Sequence, residues 1–386
     1  MYIQFEPHLF LENRRKSSMK EQEVIIKLSK MNMTKEDKNF VIKEVEKGVN
    51  WKEIVYLASR NKTLPLLWKN IKELHSESFV PVHIRKMIQY VVIGVRTDNI
   101  LFLNEFEQIK SLLLQEEVLF LPLKGIYMIP NIYKSCDIRT MGDIDCLVDR
   151  KDVTKVQKVM AELGYVQGEI DLAKKEIKPF ERFKEIVWNT QMTNMPPFYK
   201  LSDESSLGYV KVDFSVCLDF DRNYDLTQKL LKDANINSEL RTVVLFLHVC
   251  AHLYKEATND TYIKLNKDVN LVKFCDVREF LLSHEKENFL DCVVKYANAN
   301  GLGDALYYSL YYLIQIYGDD YSNTLKRINM SDVDIISYYK KSGSNELIEW
   351  KKNIMQRLFS DSNEDEMDYD PEFFKIFEMK HAVTKK

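Results

Sequence analysis

The stretch KGIYMIPNIYKSCDIRTMGDIDCLV, residues 124–148, ends with two aspartates one residue apart inside an apolar run. Asp143 and Asp145 stand where a buried strand takes Val, Ile or Leu. A carboxylate withdrawn from water costs several kcal/mol unless a positive charge compensates it. An arginine, a helix N-terminus or a metal ion can each supply that charge, and the choice between them decides the chemistry of the site.

The pattern around this stretch predicts the fold. VLFLPL (118–123) is a short apolar run stopped by Lys124 and Gly125, as in a strand followed by a turn. GDIDCLV (142–148) alternates, with Ile144, Cys146 and Val148 on one side and Asp143, Asp145 and Leu147 on the other, which is the period of a strand. KDVTKVQKVMAELGY places Val153, Val156, Val159 and Leu163 on one helical face, and Gly164 stands where such a helix ends. GYVKVDFSVCL (208–218) alternates Val210, Val212, Phe214 and Val216 against Tyr209, Lys211, Asp213 and Ser215, a further strand with Asp213 on its polar face.

Outside this core the periodicity is helical. Residues 18–116 carry apolar positions such as Phe102, Phe106, Ile109 and Leu113 at helical spacing, and TLPLLW at 63–68 marks a break between helices. From about 225 to the end the chain again reads as helical, with LRTVVLFLHVCAHLY strongly apolar and NLVKFCDVREFLL amphipathic. The acidic run DSNEDEMDYDPE (361–372) reads as a solvated loop. The expected class is α+β, with a small mixed-sheet core at 117–224, an N-terminal helical region at 1–116 and a C-terminal helical region at 225–386.

Composition narrows the function. The 386 residues are 45% hydrophobic and 29% charged, with a formal charge of −3, so sequence-independent nucleic-acid binding lacks an electrostatic driver. The N-terminus has its basic cluster after the apolar residues and no unbroken apolar core, unlike a signal peptide. No run of about 18 apolar residues predicts a membrane span. Six cysteines sit mostly in apolar runs without any C-x-x-C, the usage expected of a protein of the reducing cytoplasm.

Asp143 and Asp145 share one strand face and repel each other unless a cation lies between them. Asp213 on a second polar face can bring a third carboxylate to the same point, a donor set that suits Mg²⁺ or Mn²⁺. Upstream, Gly125 in a strand-to-helix turn permits close approach of a phosphate, Lys124 adds a mobile positive charge, and Arg139 offers a phosphate fork. The bland alternative has Asp143 capping a turn and Asp145 paired with Arg139.

The arrangement resembles the polymerase-beta-like nucleotidyltransferase superfamily, whose signature is a glycine turn after a strand, D-x-D on the next strand and a third Asp on a later one. It is most similar to the family of uncharacterised nucleotidyltransferases, with an LKG turn and an R-x-M-x-D-I-D-L-L-V strand, which here read PLKG (122–125) and RTMGDIDCLV (139–148). The family's D-L-H-W corresponds to Asp213 followed by Phe214 and Ser215. Its H-x-x-x-H corresponds to His248 and His252, and its C-D to Cys275 and Asp276, so that the resemblance covers roughly 100–285. The aromatic and basic residues usual before C-D are replaced around Asn270 and Lys273, and Ile126 follows the turn glycine.

The resemblance implies a metal-dependent transferase that moves a nucleoside monophosphate from a nucleoside triphosphate to an acceptor and releases pyrophosphate. Asp143, Asp145 and Asp213 would be the metal ligands and catalytic residues, and Lys124, Gly125 and Arg139 would hold the triphosphate. His248, His252 and Asp276 are candidate substrate contacts; the two histidines, one helical turn apart, read first as polar groups packed under the active site, next as substrate or phosphate contacts and last as zinc ligands. Tyr127, Tyr133 and Trp188 read as core or rim. The acceptor is expected to be a small molecule, a peptide or a protein, not a nucleic acid or a membrane. Two other readings remain at this point: a degenerate nucleotide-binding or antitoxin-like protein, and a D-x-D glycosyltransferase acting on a sugar nucleotide.

Overall fold

Five helices lead the chain in the computed structural model, which describes residues 19–182, 186, 188, 192–218, 223–285, 288–341 and 346–360. They are α1 (Met19–Leu28), α2 (Lys35–Glu46), α3 (Trp51–Arg60), α4 (Leu64–Glu73) and the long α5 (Val82–Gln115). Local chemistry sets their ends. Thr34 and Asp37 close a reciprocal capping box on α2, Asn50 caps α3, and Pro65 stands in the first turn of α4, which places the expected break at 63–68.

The sheet follows. β1 (Phe120–Leu123) runs into the one-turn α6 (Lys124–Met128), then β2 (Ile144–Val148) and α7 (Val153–Glu162). Gly164, at φ +79°, terminates α7 as expected. β3 (Val166–Asp171), β4 (Glu176–Pro179), β5 (Phe198–Leu201) and β6 (Tyr209–Ser215) complete a six-stranded sheet in the order β1-β2-β6-β5-β3-β4. β2 and β6 are parallel and the other neighbours antiparallel. The fold is α+β with a mixed sheet, and the sheet is twice as large as the three strands read from the sequence.

The C-terminal part comprises α8 (Tyr224–Asp233), α9 (Ser238–Ala257), α10 (Asp260–Lys264), α11 (Leu271–Ser283), α12 (Phe289–Ala299), α13 (Gly303–Tyr317) and α14 (Ser322–Leu325). A hairpin of β7 (Tyr338–Lys340) and β8 (Leu347–Glu349) then precedes α15 (Ile354–Phe359), which corrects the all-helical expectation for this part. A second correction concerns α11. It is buried almost all round, from Leu271 and Val272 through Phe274–Leu281, and is a core helix instead of an amphipathic one.

Two apolar cores organise the molecule. In one, Phe102, Ile109 and Leu113 of α5 and Val156 and Val159 of α7 pack against Ile144, Cys146, Val210, Val212 and Phe214 on one face of the sheet. In the other, Val24, Ile54 and Leu67 from the leading helices join Phe246, Phe274 and Leu313 from the trailing ones, together with Leu121, Leu123 and Leu147 of the sheet. Each such side chain contributes about 1.5–3 kcal/mol when withdrawn from water. Asp145 shares the sheet face of Leu147, so the carboxylates look toward the trailing helices. The acidic run at 361–372 and the first 18 residues lie outside the described residues.

Candidate active site

The parallel register of β2 and β6 sets Asp145 opposite Asp213 and Ile144 opposite Val212. Asp143, just before β2, adds a third carboxylate, and one oxygen from each of the three lies within 4.8 Å of the others. The strand alternation that hides Ile144 and Val212 in the core therefore forces Asp145 and Asp213 to the opposite face.

In the protein alone, the compensating charges are two lysines. Lys124 Nζ donates to Asp145 Oδ1 at 2.9 Å. Lys211 Nζ donates to Asp143 Oδ2 at 3.0 Å and also to Asp213 Oδ2. Burial opposes ionisation of Asp143, Asp145, Lys124 and Lys211. Burial and the neighbouring Asp143 push Asp145 up to about 7, against the pull of Lys124. For Asp143, Lys211 and Lys124 outweigh burial and hold it well below the usual carboxylate range. Burial likewise disfavours the charge on Lys124, but Asp145 and Asp143 outweigh it and keep the ammonium protonated.

Arg139 does not pair with Asp145. Its Nε and Nη2 donate to Asp276 Oδ1 and Oδ2 at 2.8 and 2.6 Å, and both residues are buried. Tyr133 donates to the same Asp276 Oδ1 at 2.8 Å, and half-buried Tyr127 stacks on Phe280, so Tyr133 is a core residue and Tyr127 lies at the core's rim. Trp188 is also buried, stacked on Phe180. Asn99 Nδ2 secures the same loop by donating to the carbonyls of Cys136 and Arg139, both at 2.8 Å.

The turn after β1 departs from expectation in its detail. The left-handed residue is Lys124, at φ +47°, while Gly125 is helical. Gly125 is required for closeness: a Cβ there would meet Met141 Sδ at 2.6 Å and Arg139 Nη1 at 2.8 Å.

The three aspartates and the residues around them line one cleft of about 510 Å³. Its sheet wall carries the three aspartates, Lys124, Gly125, Arg139, Lys211 and Asp276. Its helical wall carries His252, Glu256, Lys255 and Lys273, with Lys62 from the segment after α3. His252 Nε2 lies 3.2 Å from Glu256 Oε1, and Lys273 Nζ lies 2.6 Å from Glu256 Oε2. His248 is one turn back, ring against ring with His252 at 6.3 Å, and its buried Nδ1 has no hydrogen-bond partner among the described residues. Burial lowers the pKa of His248 well below normal and that of His252 to about 4, so both are neutral at pH 7.

Asn270, unexpected in place of an aromatic or basic residue, caps α11 by accepting from Lys273 N. Sequence reading missed Lys211, although it shares the polar face of β6 with Asp213. It also missed Glu256, which lies one helical turn beyond His252.

A family model described as uncharacterised nucleotidyltransferase matches residues 47–318. The chain belongs to this family. This nucleotidyltransferase is matched over a longer stretch than its motifs mark out, from the end of α2 to the end of α13. No curated protein and no solved structure matches it. The four buried cysteines, Cys146, Cys217, Cys250 and Cys275, and the two half-buried ones form no disulfide among the described residues. Among the described residues no helix is long and apolar enough to cross a membrane.

Proposed function

We propose that this nucleotidyltransferase moves a nucleoside monophosphate from a nucleoside triphosphate to a hydroxyl-bearing acceptor, in a reaction that depends on Mg²⁺ or Mn²⁺. The observation that carries this reading is the convergence of Asp143, Asp145 and Asp213 within 4.8 Å on adjacent strands. Three hard oxygen donors fit a small divalent cation, and these residues would hold it. When bound, such a cation polarises phosphoryl oxygens and offsets their charge.

The chain's own residues do the remaining work. Lys124 on the sheet wall and Lys62 and Lys273 on the opposite wall set positive charge around the cleft, where a triphosphate needs it. Asp213 accepts the proton of the acceptor hydroxyl as its oxygen attacks the α-phosphorus. The bond from the α-phosphorus to the bridging oxygen breaks, and pyrophosphate leaves. Arg139, clamped by Asp276 through Nε and Nη2, shapes the floor beside Gly125. The acceptor is a small molecule, a peptide or a protein side chain, because a net charge of −3 gives nucleic acid no general attraction. The cysteine usage, mostly inside apolar runs and without any C-x-x-C, is that of a cytoplasmic protein.

Calorimetry with Mn²⁺ and a non-hydrolysable triphosphate tests the assignment. Wild type should bind the nucleotide only with Mn²⁺ present. Asp143→Asn should lose the metal, and Lys124→Ala should keep the metal while binding nucleotide roughly tenfold more weakly, the size of one charge-assisted contact. Nucleotide binding indifferent to both Mn²⁺ and Asp143 would overturn the reading.

A further inference from the structure

Lys211 is at the centre of the carboxylate cluster. It bridges Asp143 and Asp213, which come from two neighbouring strands. The sheet dictates this placement. Lys211 and Asp213 are two residues apart on β6 and share a face, and Asp143 lies one step back from the Ile144–Val212 pair. Lys211 engages one oxygen of Asp143 and one of Asp213, so a cation held jointly by these two carboxylates would meet the ammonium charge already there. Lys124 is different, because it contacts a single oxygen of Asp145.

We propose that Lys211 is a resident counter-ion of the site: it holds the three carboxylates together before a divalent cation enters, gives up its place on entry, and then pairs with a phosphate oxygen of the bound triphosphate. The inference rests on the metal-site reading of the aspartates. Without Lys211, the three carboxylates within 4.8 Å of one another would keep, among the described residues, the direct ion pair of Lys124 with Asp145 and the more distant charge of Lys62. Lysine suits an exchanging role, being a compact charge on a flexible stem, whereas an arginine fork would lock onto the carboxylates. The side chain is one-quarter exposed and lines the cleft, so its ammonium has room to turn toward a ligand there.

The experiment uses the full chain with Lys211→Met, which keeps most of the stem and removes the charge, and Lys211→Arg, which keeps the charge. Titrated with Mn²⁺ in the absence of nucleotide, Lys211→Met should bind roughly tenfold more tightly than wild type, since no internal cation competes. Its melting temperature without metal should fall and recover with Mn²⁺. At saturating Mn²⁺, its affinity for a non-hydrolysable triphosphate should fall roughly tenfold, so metal and nucleotide respond with opposite signs. Lys211→Arg should bind Mn²⁺ more weakly than wild type. Unchanged or weaker Mn²⁺ binding by Lys211→Met, or unchanged or tighter binding by Lys211→Arg, with wild type binding normally, overturns this inference and leaves the metal site standing. Failure of wild type and both variants to bind Mn²⁺ overturns the metal reading and this inference with it.

Discussion

Asp145 lies directly opposite Asp213 across the parallel pairing of β2 and β6. Like charges facing each other across a ladder destabilise it, and Asp145 has one lysine contact to offset two neighbouring carboxylates. Asp145→Asn should therefore leave the metal-free melting temperature unchanged or higher, while abolishing stabilisation by Mg²⁺ or Mn²⁺. A clear drop in the metal-free melting temperature would show that Asp145 is a structural residue.

The space beside Gly125 is filled by Met141 and Arg139. Gly125→Ala should cost about 1–3 kcal/mol through overpacking and lower turnover by shifting the floor of the cleft. Gly142→Ala is the control, because a Cβ there meets nothing within 4 Å. Equal urea midpoints for the two variants would contradict the packing account.

Asp276 holds a buried arginine through two hydrogen bonds. Removing one partner of a buried pair costs about 3–5 kcal/mol, so Asp276→Asn should lower the unfolding free energy by that amount. A variant of normal stability with a raised KM would instead make Asp276 a substrate contact.

The strands of the site were legible because alternation is strict there: Val210, Val212 and Phe214 are fully buried, and the residues between them are not. β3 and β4 escaped notice because they are mostly half-exposed or exposed, with no apolar face to give them a period. α11 misled because Asp276, Arg278 and Glu279 look like a solvent face, yet each is buried against a partner. The pairing of Arg139 with Asp276 joins residues 137 positions apart, and nothing local announces it. The same holds for the meeting of Lys211 with Asp143, which needs the strand order β2-β6.

His248 and His252 give the stability a pH dependence whose sign is fixed. Their folded pKa values are depressed, that of His252 to about 4, so between about 4 and the unfolded value near 6.5 the unfolded chain binds more protons. The histidines' contribution to stability is full above that window and falls with pH through it, by at most about 1.4 kcal/mol per pH unit for each, whereas Asp145, raised to about 7, contributes with the opposite sign. Glu256, also depressed, adds its own loss below its unfolded value of 4.5. Melting curves from pH 7 to 5 should be steeper for wild type than for His248→Gln/His252→Gln. Parallel curves would mean that the histidines are not buried as neutral groups.

The most direct measurement follows the phosphorus. Triphosphates labelled at the α- or the γ-phosphorus are incubated with the protein, Mg²⁺ or Mn²⁺, and an extract of the source cells that contains the acceptor. A parallel sample carries Asp143→Asn with Asp145→Asn. Metal-dependent passage of α label to an acceptor, release of pyrophosphate, and loss of both in the doubly substituted protein are the expected result. Transfer of γ label, or of α label that persists without Asp143 and Asp145, would contradict it.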